Sequence, residues 1–158
     1  MAYNLSQKLS ANVEAITIAM QWQQGDALSA EAVAALKAYA GFGGIKAVLY
    51  PNGTTEDWIK SGATKEDLKL HPEMTRLHEL LQKHYSEKDY NAAVSSLRNS
   101  VLTAFYTPEI VPNTLYTALE EQGINPKRLY EPSAGSGIFI TEADNVFSSL
   151  EQITAVEK

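Results

Sequence analysis

Apolar residues recur at helical spacing through the first hundred positions. Leu9, Val13, Ile16 and Met20 give residues 6–24 one apolar face, and Gly25-Asp26 breaks it. Ser29 is placed to cap a second helix, with Glu31 in its first turn and Val33, Leu36 and Ala40 on one face. Gly41 stands where a helix-ending glycine belongs. GFGGIKAVLY (41–50) predicts a helix stop with a close backbone crossing. Its glycines precede a lysine, but the spacing is not that of a phosphate loop and no strand leads into it. Pro51-Asn52-Gly53 predicts a turn. Residues 54–71 are mixed, with Trp58 and Ile59 as core anchors and a solvated face from Lys60 to Lys69. Pro72 starts a helix that carries Leu77, Leu80, Leu81 and His84 on or near one side. Ser86 caps the next, in which Tyr90, Val94, Leu97 and Val101 form a core stripe.

The pattern changes after residue 104. Thr107 is expected to cap a helix whose first residue is Pro108, with Pro112 making its start irregular. Leu115 and Leu119 carry that helix to a stop at Gly123, and Asn125-Pro126 turns the chain. A short strand follows, Arg128-Leu129-Tyr130, then the turn EPSAGSG, then a helix from near Ile138. Phe139, Ile140 and Val146 would pack that helix onto the sheet. A second strand runs from Ile153 to Val156, and Glu157 ends it.

Composition narrows the possibilities. With 44% hydrophobic and 20% charged residues, the chain of 158 residues should fold around a core. It has no cysteine, which excludes disulfides and cysteine-ligated zinc. His71, His78 and His84 lie seven and six residues apart, not the one-turn spacing that zinc favours on a helix. The N-terminus has no basic cluster leading into an apolar run, and the apolar stretch at 15–20 is too short to cross a bilayer. A cytoplasmic protein without membrane contact is therefore expected. The net charge of −6 argues against these residues gripping DNA unaided.

The chemistry concentrates in EPSAGSGIFI, residues 131–140. Pro132 halts the strand, and Gly135 and Gly137 open backbone angles closed to other residues. N–H groups at the new helix start can then face a polar or anionic ligand. Gly137 and Glu157 are about twenty residues apart, the separation between a glycine turn and a ribose-binding acid. The Gly-Lys-Ser/Thr of a nucleoside triphosphate loop is missing, as is the third glycine of a dinucleotide fingerprint.

Phe-Tyr-Thr-Pro (105–108) followed by Glu-Pro-Ser-Ala-Gly-Ser-Gly-Ile-Phe (131–139) resembles the adjoining motifs X and I of adenine-N6 DNA methyltransferases. The resemblance covers about residues 104–158. More weakly, GFGGIK and the helices before it resemble the leading segment of large phage- or plasmid-type methylase/helicase proteins. The resemblance implies S-adenosylmethionine (SAM) as methyl donor. Tyr106, Thr107 and Pro108 would lie by its methionine part. Glu131, Ala134, Gly135 and Gly137 would line the same end, and Glu157 would accept hydrogen bonds from the ribose hydroxyls.

The family's Asp/Asn/Ser-Pro-Pro-Tyr/Phe motif, which holds the target amine, has no counterpart: no two prolines are adjacent. The expected architecture is thus a mainly α N-terminal region, 1–104, followed by the first portion of a truncated α/β Rossmann-like SAM-binding methyltransferase domain, 105–158. DNA would be a partner only through a longer parent enzyme, and this piece alone is expected to be inactive. The short sheet is open to self-association. The alternative is a non-enzymatic helical interaction module of a phage or plasmid protein. A Rossmann-type oxidoreductase is disfavoured by the Thr-Pro helix ahead of the glycine turn.

Overall fold

The computed structural model describes residues 4–25, 27–103 and 107–157. The chain divides into two compact units, Met1–Phe105 and Tyr106–Lys158.

The first unit is helical. Its elements are α1 (Leu5–Gln23), α2 (Ala30–Lys37), a 3-10 turn (Lys46–Leu49), α3 (Thr55–Lys60), α4 (Lys65–Leu68), α5 (His71–His84) and α6 (Glu87–Thr103). Local signals account for most of the helix starts. Asn4 caps α1 through Ser6 N and Gln7 N, and Ser29 caps α2 through Ala32 N. Thr54 with Asp57, and Thr64 with Asp67, form two capping boxes. Leu9, Val13, Phe42, Ile45, Met74 and Leu77 are among the residues that fill one core. The stripe on α6 joins it: Val94 and Val101 are buried, with Tyr90 and Leu97 packed alongside.

The GFGGIK segment is built into this core from two sides. Buried Asn12 on α1 donates from Nδ2 to Gly41 O at 2.7 Å and accepts from Ala40 N at 2.8 Å. Lys8 Nζ donates to Gly43 O, and Gly44 N donates to Val101 O of α6 at 2.9 Å. Gly41 does not itself end α2, which stops at Lys37 with Ala38 at the cap. Its φ of 68° turns the chain under α1 instead. Trp58 is buried and donates from Nε1 to Pro51 O. Ile59, expected beside it in the core, is 56% exposed, because α3 is a single turn and a half and only one of its faces meets the core.

The second unit comprises α7 (Ile110–Glu121), β1 (Arg128–Glu131), α8 (Ile138–Val146) and β2 (Gln152–Ala155). The strands pair in parallel, Arg128 opposite Gln152 and Glu131 opposite Ala155. Buried Tyr116, Ala143 and Phe147 centre a separate small core, with Leu119, Leu129, Phe139, Val146 and Leu150 around them.

The expected Rossmann-like α/β domain, even a truncated one, is overturned. Among the described residues there are eight α-helices and only two strands of four residues each, so the chain is mainly helical. A doubly wound sheet buries its parallel strands on both faces. Here alternate residues of β1 are exposed, Tyr130 at 65%, and the apolar contacts of the unit run chiefly between helices. Thr107 does not cap α7: the helix begins at Ile110, with Glu109 at the cap position and no side-chain cap bond. Pro112 occupies the third helical position, where an N–H would have no intrahelical partner, and its ring is fully buried. Among the described residues no helix is long and apolar enough to cross a membrane.

Candidate ligand-binding turn

β1 delivers Glu131 to the start of a tight loop. Glu131 Oε1 accepts from Ser133 N at 2.9 Å, and Gly137 N donates to Ala134 O at 2.7 Å. Gly135 (φ 54°) and Gly137 (φ 81°) are both left-handed, which is why glycine stands at each. Gly137 is the cap residue of α8, and no side chain caps that helix. The first N–H groups of α8 therefore have no intrahelical partner.

The loop is tied to the end of β2. Val156 N donates to Glu131 O at 2.8 Å and Ala134 N donates to Val156 O at 2.9 Å, so the ladder continues beyond the strands. One step further, Gly135 N donates to Glu157 Oε2 at 2.7 Å. Glu131, Ala134, Gly135, Gly137 and Glu157 thus meet at one partly exposed turn, with two carboxylates and left-handed backbone together. An ionised carboxylate offers about four acceptor directions, and Gly135 N–H uses one at Glu157. Such an arrangement suits a ligand with neighbouring hydroxyls and a cationic or N–H-rich end.

The other expected site residues stand differently. Tyr106 lies outside the described residues. Thr107 and Pro108 are exposed and precede α7. Their connection to the turn runs through helix packing. Tyr116 of α7 meets Phe139 and Phe147, with ring centroids 6.3 and 5.2 Å apart. Burial, with the charge of Glu131 nearby, raises the Tyr116 phenol above its ordinary pKa. Asn113 Nδ2 donates to Glu142 Oε2 at 2.8 Å, and Asn145 Nδ2 donates to Glu142 Oε1 at 3.1 Å. Sequence reasoning missed Asn113, Tyr116 and Glu142. The spacing of Ile138, Glu142 and Val146, four residues apart, carried the signal: it puts an acid on an apolar helix face.

The three histidines have three separate partners: His71 meets Gly53 O, His78 the Tyr90 hydroxyl and His84 the Gln24 side chain. Among the described residues no three His, Cys, Asp or Glu side chains gather as a metal site. Compared with family models, curated proteins and solved structures, the chain finds no match.

Proposed function

We propose that the turn at residues 131–137, with Glu157, binds S-adenosylmethionine, and that the chain supplies the donor-binding part of an adenine-N6 DNA methyltransferase. One observation carries this reading: Glu157 and the glycine turn, 22 residues apart in sequence, meet at 2.7 Å. The acid expected to receive the ribose hydroxyls thus stands beside the main chain expected to receive the rest of the donor. In this reading Glu157 shares Oε2 with Gly135 N–H and offers Oε1 to a hydroxyl. Left-handed Gly135 and Gly137 keep the main chain low, so the ligand can approach it closely. The donor supplies an electrophilic methyl group. What this chain contributes is its orientation, which is a large part of a transfer that needs donor and acceptor in line. The target amine would be held elsewhere, because no Pro-Pro-aromatic motif occurs among these residues.

Saturation-transfer NMR of the 158-residue chain with SAM at millimolar concentration tests the reading. Ribose and methyl protons of the ligand should receive saturation, and the amides of Gly135 and Gly137 should shift. Gly135→Val should abolish both effects while α1 to α6 stay folded. Absence of transfer in the unaltered chain would refute SAM binding here and leave the non-enzymatic helical reading standing.

A further inference from the structure

Glu142 is 2% exposed, and both carboxylate oxygens accept from side-chain amides rather than from a cation. Burying a carboxylate with only neutral donors is costly, and an apolar residue of similar size would fill the same space without that cost. Hydrophobic packing between α7 and α8 is already supplied by Tyr116, Phe139 and Phe147. The acid therefore adds direction rather than cohesion: a hydrogen bond fixes a distance and an angle that apolar contact leaves loose.

The position of this bond gives it a consequence. Asn113 is three residues into α7, and Glu142 is four residues into α8. At a rise of about 1.5 Å per residue, each helix start lies within about 6 Å of the link along its own axis. Immediately before those starts are Thr107-Pro108 on one side and the turn from Ala134 to Gly137 on the other. The link thus clamps together the leading ends of the two helices whose preceding segments carry the candidate site.

We propose that Glu142 is a positioning residue, which through Asn113 sets the spacing between the segment at 107–109 and the glycine turn. This deepens the SAM-binding reading above and takes its functional meaning from it. The spacing itself is measurable without ligand. Asn145, on the same helix as Glu142, donates to the other carboxylate oxygen. Glu142→Gln should preserve the link, because Gln can donate to Asn113 once the Asn amide turns its oxygen inward. Glu142→Leu fills the volume and removes both hydrogen bonds.

The chain has no native cysteine, so labels at Thr107→Cys and Ser133→Cys would be the only ones attached. Electron paramagnetic resonance should give a narrow distance distribution in the parent and in Glu142→Gln. The distribution should at least double in width in Glu142→Leu, with helical circular dichroism unchanged. A merely structural role would lower the melting temperature and leave the width alone, and that result would overturn the proposal. Should Glu142→Leu fail to fold, Asn113→Ala cuts the same link without burying a new apolar side chain. Its width then decides, broad supporting the clamp and narrow overturning it. Added SAM supplies the separate arm. If ligand shifts appear at Gly135 in the parent but the width never responds to Glu142→Leu or Asn113→Ala, the clamp fails alone. If the width responds but no ligand shift appears in the parent, the SAM reading fails and the clamp stands.

Discussion

The Tyr90 hydroxyl and His78 Nδ1 stand 2.8 Å apart, joining α6 to α5. Asn52 Nδ2 donates to the same hydroxyl oxygen at 3.2 Å. With Asn52 on one lone pair, the Tyr90 hydroxyl keeps its proton available for His78 Nδ1, the direction that suits a neutral imidazole with an unprotonated Nδ1. Burial lowers the His78 pKa, and the positive charge of Arg98 lowers it further.

The pair predicts acid sensitivity with a definite sign. His78 is held neutral in the folded chain and takes up a proton more readily when unfolded. Its contribution is complete above the unfolded value of about 6.5 and is lost as pH falls from there through the lower folded value. The unfolding free energy of the chain from urea titrations should fall between pH 7.5 and 5.5, by at most about 1.4 kcal/mol per pH unit for one proton. The pKa values of Asp57 and Asp67 are also lowered, but those groups act only near and below about pH 4, outside this window. His78→Gln should flatten the dependence; a slope that survives it would assign the effect elsewhere.

Asn12→Ala should be among the most damaging single changes in the first unit. The side chain is fully buried and satisfies both Gly41 O and Ala40 N, 29 and 28 residues away. Removing it strands the buried Gly41 O, at about 1–3 kcal/mol, and releases the Ala40 N–H, which lies near solvent and costs less. Asn12→Leu, branched at the same atom but bulkier, should be at least as harmful, because it removes both bonds and overfills a fully buried site. A urea titration showing a loss below about 1 kcal/mol for both would mean that the loop rearranges to pair elsewhere.

At Gly137 an added methyl group would meet open space, so the penalty is conformational alone. With φ at 81°, Gly137→Ala should cost about 1–2 kcal/mol, read as lost helicity in α8 by NMR chemical shifts. Gly137→Asn should cost less, because asparagine tolerates the left-handed region. Equal effects of the two would show that the turn changes its backbone angles when the glycine is lost.

Glu157→Ala should release the Gly135 amide. Its hydrogen exchange is expected to accelerate roughly tenfold without ligand, while amides in the middle of α8 keep their rates. Glu157→Gln retains an acceptor and should lie between. An unchanged Gly135 rate in Glu157→Ala would mean that the carboxylate does not hold the turn in solution.

What was legible in the sequence was local. Ser29 caps α2 as its position implies, and the Tyr90, Val94, Leu97, Val101 stripe faces the core. The glycine turn leads into a helix at Ile138, between two paired strands. Each of these needs only neighbours within a few residues. The Thr54–Asp57 and Thr64–Asp67 boxes were equally local and went unread, leaving 54–71 without its two short helices. Other features depended on distant chain. Nothing near Asn12 signals that it will grip residues 40 and 41, and nothing near Ile59 signals that its side of α3 stays uncovered. At the candidate site the residues of the turn were legible as a motif. Its clamp needed the packing of two helices that brings together Asn113 and Glu142, 29 positions apart. The Rossmann-like expectation failed for a related reason: a strand–turn–helix–strand pattern describes one local unit and says nothing about how many strands assemble beside it.

The bond from Gly44 N to Val101 O spans 57 residues and sits in a loop, where amide protons ordinarily trade with solvent within moments. Gly44 cannot release its proton unless the end of α6 lifts away or the segment beneath α1 is dragged out, and either event opens the core around Phe42 and Ile45. This single amide is therefore a clock for the whole first unit. Deuterium should reach it at the pace of complete unfolding, in step with the slowest sites of α5 rather than with its own glycine-rich neighbours.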